Sequence, residues 1–204
     1  ATNSITAAMV GNDLISGKDA LAAEPADTDE FLVSDAGTLK RIDYSYIKGG
    51  GITMADQWRY ATATAGDGDL TSNLERDDTT GFGQLGTGMT ESSGVFTFPS
   101  TGKYRIDFIV RQQYDGSGQY NEGTIYYTTD NSSYAVASSS SQFISQVNST
   151  TTQAGHMNTT IFDVTNVSTH KVRFHVEVQN NSTSTVGGTS ETFTAMVFLR
   201  LGDT

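Results

Sequence analysis

Three histidines and a group of aspartates are the residues whose types could do chemistry. His156, His170 and His175 could ligate zinc, yet they spread over what reads as a loop, a turn and a strand. His170 and His175 are five apart, which places them on opposite faces of any shared strand. A zinc site would therefore have to form across subunits, and solvated histidines are the plain alternative. Asp67 and Asp69, within Gly66-Asp67-Gly68-Asp69, together with Asp77 and Asp78, offer the carboxylate and carbonyl oxygens that calcium takes. The spacing and terminal glutamate of an EF-hand loop are missing, so a solvated turn is the competing reading. Calcium is the one cofactor these residues suggest, and otherwise none is expected.

Catalytic arrangements are not apparent. Ser, His and Asp are all present, but no G-x-S-x-G elbow places a serine for attack. Glu75, Glu91, Glu122 and Glu177 could each join an aspartate in glycoside hydrolysis, and nothing singles out a pair. Gly81-Phe82-Gly83 lacks the further glycine and helix of a dinucleotide fingerprint. The chain contains no cysteine, which removes disulfides, thiolate metal sites and cysteine nucleophiles. These patterns point away from an enzyme. A second kind of candidate is aromatic: Tyr114, Tyr120, Tyr126, Tyr127 and Tyr134 gather around loops and one strand. Exposed tyrosines stack on sugars or form protein interfaces, so Tyr114, Tyr120 and Tyr134 are candidate surface-ligand residues. In the alternative, Tyr127 and Ile125 fill the core and the other tyrosines cap strand edges.

The 204 residues carry 23 acidic and 12 basic side chains, a formal net charge of −11. Phosphate recognition needs clustered Lys and Arg, so nucleic acid is not an expected partner. No apolar run approaches the ~20 residues of a membrane span, and membrane insertion is not expected. Ala1-Thr2-Asn3-Ser4 shows no basic run before an apolar one, so export is expected either by cell lysis or through a leader already removed. Six N-x-S/T sequons, at Asn131, Asn148, Asn158, Asn166, Asn180 and Asn181, read as by-products of a Ser/Thr/Asn-rich composition more readily than as glycan sites.

Ser, Thr, Gly, Tyr and Val are plentiful and the usual helix fillers are scarce, which predicts an all-β chain. Gly49-Gly50-Gly51 divides it: residues 1–48 form an N-terminal arm, 49–51 a linker, and 52–204 a strand-rich head. In the arm, Phe31, Leu32 and Val33 precede an Asp35-Ala36-Gly37-Thr38 turn, and Leu39 to Ile42 follow it, so a hairpin is predicted. This arm is too small to bury its own apolar face and should dock on something else. In the head, Tyr104, Ile106 and Phe108 alternate with polar residues, as do Val172, Phe174, Val176 and Val178. Such alternation marks half-buried antiparallel strands. Shorter strands are predicted over 57–64, 94–98, 123–128, 142–147 and 159–164, with Ser138 to Ser141 as a solvated loop or strand edge. The stretch Phe193 to Leu199 is apolar on both faces, so Phe193, Met196 and Phe198 are the candidate contacts to a partner subunit. About eight short strands imply an antiparallel sandwich or jelly roll.

Gly94-Val95-Phe96-Thr97-Phe98-Pro99-Ser100-Thr101-Gly102-Lys103-Tyr104-Arg105-Ile106-Asp107-Phe108 resembles the core motif of the C1q/TNF-like jelly-roll family, and the resemblance extends over about residues 54–202. It implies a trimer-forming head with the closing strand near the axis, and calcium held near that axis in some members. Leu21 to Ile42 resembles segments of marine tailed-phage fibre and other virion proteins. Together these imply a homotrimeric head with an attachment arm, as in a short fibre, knob or capsid decoration on a virion surface, partnered by other virion proteins. Two further readings remain open. The arm could add a strand to a neighbour's sheet and build a filament, or the loops could form a carbohydrate-binding module that meets a host-surface glycan.

Overall fold

The computed structural model describes residues 18–48, 51–77 and 79–204. No α-helix occurs among them, and every paired strand is antiparallel. The chain separates into two units, Ala1–Gly49 and Gly50–Thr204.

In the first unit, β1 (Glu30–Asp35) pairs with β2 (Thr38–Asp43) over six residue pairs. Ala36 and Gly37 both take positive φ, 48° and 83°. That backbone joins two strands in two residues with the twist a hairpin requires. Tyr44–Tyr46 then form a single 3-10 turn. Phe31 contacts Tyr44 at a ring distance of 6.0 Å. Leu32 and Leu39 remain 74% and 69% exposed, and Val33 and Ile42 are half-buried.

The second unit is a two-sheet sandwich. One sheet contains β3 (Ala55–Tyr60), β4 (Thr64–Ala65), β6 (Leu74–Arg76), β9 (Gly102–Tyr114), β12 (Thr152–Val164), β14 (Ser184–Thr185) and β15 (Ala195–Gly202). Its main order is β6-β3-β15-β9-β12, with β14 and β4 continuing beside the far end of β9. The other sheet runs β11-β10-β13-β8-β7, from β7 (Thr90–Ser92), β8 (Val95–Thr97), β10 (Gly118–Thr128), β11 (Ala135–Ile144) and β13 (Lys171–Val178). A short β5 (Gly68–Asp69) also pairs with β13. Of the long strands, β9, β12 and β15 lie in one sheet and β10, β11 and β13 in the other, so the chain crosses repeatedly between the sheets, as in a jelly roll.

The inward positions supply the core. Phe96, Tyr104, Ile106, Phe108, Ile125, Val172, Phe174, Met196 and Phe198 are at most 1% exposed. Phe96 stands at the centre, with ring centroids 5.3 Å from Trp58, 5.4 Å from Phe174 and 5.2 Å from Phe198. Edge-to-face and tilted pairs at these distances are the favoured aromatic geometries. Pro99 ends β8, and the Tyr104 hydroxyl then donates to the Ser100 carbonyl at 2.9 Å. Gly102 starts β9 at φ 142°, where an added Cβ would lie 2.5 Å from the Gly202 carbonyl oxygen. The sequence motif over 94–108 thus builds one wall of the core, one corner and the start of the opposite wall.

Of the two readings for Ser138 to Ser141, the structure has the strand edge: they lie in β11, at the edge of its sheet and paired to β10, where a strand can present hydroxyls on both faces. His156 sits inside β12, opposite Val110, and not in a loop.

Candidate assembly face

The closing strand β15 lies between β3 and β9, with Met196 opposite Phe108 and Phe198 opposite Ile106. That register turns Met196 and Phe198 toward the sandwich interior, where each is 0% exposed. They are core residues, and their assignment as partner contacts is corrected: a side chain sealed inside its own chain has no surface to offer. The opposite face of β15 presents Val197 and Leu199, both half-buried. Phe193, just before the strand, is half-buried and receives the Arg111 guanidinium over its ring at 4.7 Å.

The neighbouring strands extend this outward face. Ile109 of β9 stands opposite Met157 of β12, so both side chains leave the sheet on the same side. Ile109, Met157 and Ile161 are 37%, 52% and 66% exposed. Ile109, Arg111, Gly155, Met157 and Phe193 surround a shallow depression of about 570 Å³. An antiparallel sheet can face water on one side, but that side is then ordinarily polar. Here the solvent side carries apolar side chains on three adjacent strands, Ile109 on β9, Met157 and Ile161 on β12, and Val197 and Leu199 on β15. Polar groups are set among them: Arg105, opposite Ile161, donates from Nε to Asp107 Oδ1 at 3.0 Å, and Asp107 also accepts from the Thr159 hydroxyl. Apolar side chains interspersed with polar ones are the composition of an ordinary protein contact.

The predicted calcium ligands are not brought together. Asp67 accepts the Val178 backbone N–H. Asp69, on β5, lies 2.8 Å from His175 Nδ1 and 3.1 Å from Arg173 Nη1. Asp77 follows β6 in the other sheet, 2% exposed, and accepts from Arg59 Nη1 at 3.2 Å, Gln57 Nε2 at 3.0 Å and the Thr192 hydroxyl at 2.7 Å. Asp78 lies outside the described residues. No group of three His, Asp or Glu side chains that could hold a metal ion occurs among the described residues. Among the described residues, Asp67, Asp69 and Asp77 serve as fixed acceptors for the strands around them.

The histidines are equally dispersed. His170 is buried and stacks on Phe162 at 5.5 Å, and His175 is engaged by Asp69. His156 points between the sheets with neither ring nitrogen bonded to protein. Burial pushes its pKa below the ordinary imidazole value, and the Glu122 carboxylate opposes that shift.

The three candidate tyrosines do not form one platform. Tyr114 and Tyr120 flank the β9–β10 connection, half-buried and 42% exposed respectively. Tyr134 follows the far end of β10, under the Arg173 guanidinium at 4.3 Å. At ~3.3 Å per residue, the length of β10 alone keeps it roughly 25 Å from Tyr120. Ile125 is buried and Tyr127 packs against the core, as in the core-filling alternative. The sequon residue Asn158 is 5% exposed and donates to the carbonyls of Gly123 and Ser138, so that sequon is a core feature.

Asp56 was not singled out from sequence, yet it organises the other edge. Its buried carboxylate accepts from Arg76 Nε at 3.0 Å, Trp58 Nε1 at 3.0 Å and the Met89 N–H at 2.7 Å. Its signal was weak: an aspartate at alternating spacing with Trp58 and Tyr60, on the face those two rings turn inward.

No protein-family model matches the chain, and no curated protein matches it. Solved structures do. The chain is similar to Eiger TNF from S. frugiperda, with a TM-score of 0.56 and 9% identity, over 76% of this chain and 96% of that one. It aligns with murine APRIL at a TM-score of 0.49 and 10% identity, over 72% and 98% of the two chains. It aligns with the PRD1 vertex protein at 0.46 and 15%, over 75% and 100%. The fold is therefore an all-β, TNF-like antiparallel jelly roll.

Proposed function

We propose that this chain is a non-enzymatic structural protein displayed on the surface of a tailed-phage virion, as a short fibre, knob or capsid decoration. Its Gly50–Thr204 unit self-associates as a homotrimer through the outward face of the seven-stranded sheet. Residues 1–48 attach it to other virion proteins. The observation that carries self-association is the exposure of the apolar side chains Ile109, Met157 and Ile161 on one face of the sheet. The TNF-like fold supports the trimer, since the 94–108 motif resembles a trimer-forming family. The likeness of residues 21–42 to virion-protein segments supports the particle. The exposed Leu32 and Leu39 of the hairpin suit an arm that completes its apolar contacts on another component.

Loops left free by this assembly would meet a host surface, a glycan included, and Tyr120 is the most accessible of the candidate tyrosines. The filament alternative has less support, because β1 and β2 are already paired with one another. An arm that donates a strand would first have to open that hairpin.

Two experiments test the reading. Replacing Met157 and Ile161 with Asp should reduce the assembled mass to that of one chain while the circular dichroism of the sandwich persists. An unchanged assembled mass would remove this face from the interface. Antibodies against the chain should decorate phage particles at a fixed position, and labelling of free filaments instead would support polymerisation.

A further inference from the structure

The aromatic core does not fill the sandwich from end to end. Beyond Phe108 and Val110, the next inward residue of β9 is Gln112, 0% exposed, and neither atom of its side-chain amide is bonded to protein. Its register neighbour on β14 is Thr185, 1% exposed, and Thr183 lies two residues earlier, 0% exposed. Both hydroxyls lack a protein partner. From the other sheet comes Asn121, 0% exposed with its side-chain carbonyl oxygen unpartnered. Gln142 stands beside it in register, and its amide nitrogen is unpartnered as well.

The two groups face each other. A Cβ added at Gly123 would lie 2.6 Å from Val110 Cγ2, so β9 and β10 approach closely at that point. The strands run in opposite directions from their Asp115–Ser117 connection. Two residues toward that connection, Gln112 and Asn121 are therefore opposed across the interior.

Polar atoms this deeply buried are nearly always hydrogen-bonded, because a stranded polar group loses its water and gains nothing in return. These five side chains offer donors and acceptors together, and none of them is ionisable. What they match is small, neutral and able both to donate and to accept. We infer that this end of the sandwich binds a cluster of ordered water molecules, which bridges Gln112, Thr183 and Thr185 of one sheet to Asn121 and Gln142 of the other. The two sheets are thus joined by aromatic packing over most of their length and by water beside the β9–β10 connection.

Oxygen-17 magnetic relaxation dispersion on the full-length chain detects such long-lived internal water. A Gln112→Met, Asn121→Leu variant that retains wild-type circular dichroism should lose much of the dispersion amplitude. An amplitude equal to wild type would overturn the inference. Should that pair fail to fold, Thr183→Val with Thr185→Val keeps side-chain shape and removes two hydroxyls, and the same loss is expected. A high-resolution crystal structure of the wild-type chain gives an independent answer. Density for bridging waters between Gln112 and Asn121 supports the cluster, and a direct bond between the two amides with nothing between them contradicts it.

Discussion

Asp56 shows how much one side chain can hold at the residue scale. Its carboxylate joins β3 to β6 through Arg76 and fixes the start of β7 through the Met89 N–H. Removing one partner of a buried, hydrogen-bonded pair strands the other, at about 3–5 kcal/mol. Asp56→Ala should therefore lower unfolding free energy by roughly 3 kcal/mol in urea titration, and Asp56→Asn, which keeps an acceptor, by less. His156 makes a second residue-scale prediction. Burial holds its folded pKa below the unfolded value of about 6.5. The unfolded chain thus binds more protons between those two values. The stability linked to His156 is full above about pH 6.5 and is lost as pH falls through the folded value. In His156→Gln this acid loss should shrink, read as a smaller shift of the urea midpoint on acidification, with His170 and His175 common to both proteins.

At the scale of elements, glycines mark where strands must come close. Gly102 combines a left-handed φ of 142° with a backbone oxygen 2.5 Å from any added Cβ. Gly102→Ala should cost about 1–3 kcal/mol, measured by thermal unfolding, because neither the turn nor the β15 backbone can give way cheaply. The sequence made much of this level legible. The alternation through Tyr104, Ile106 and Phe108 identified β9 and its inward face, and Ala36-Gly37 identified the arm's turn. The inward face of β15 was not legible, because Ala195, Val197 and Leu199 are as apolar as Met196 and Phe198. A one-residue choice of register exchanges the two faces, and only pairing with β9 decides it. The aspartates read as one group for a related reason. Asp69 and Asp77 are close in sequence, yet β5 and β6 belong to different sheets, and each carboxylate is already occupied by an arginine. The serine run left loop and strand edge open, because a strand at a sheet edge does not depend on apolar alternation.

On the scale of the whole molecule, an apolar contact face must work against charge. Each chain carries a net charge of −11, and copies brought together repel one another. Salt screens this repulsion, with a Debye length of about 10 Å at 0.1 M, while apolar contacts are not weakened by it. Self-association should therefore strengthen as salt rises, seen as a fall in the dissociation midpoint on dilution. Weakening by salt would point to ion pairs as the glue. A chain that begins at Gly51 should keep the assembled state of the full chain, because the apolar face lies in the Gly50–Thr204 unit. Assembly that depends on the arm would favour the filament reading. The most direct test of the proposed function is the mass of the full-length chain in solution by light scattering. The account predicts a particle of three 21.8 kDa chains that persists on dilution, and a single 21.8 kDa chain with Ile109, Met157 and Ile161 open to water would contradict it.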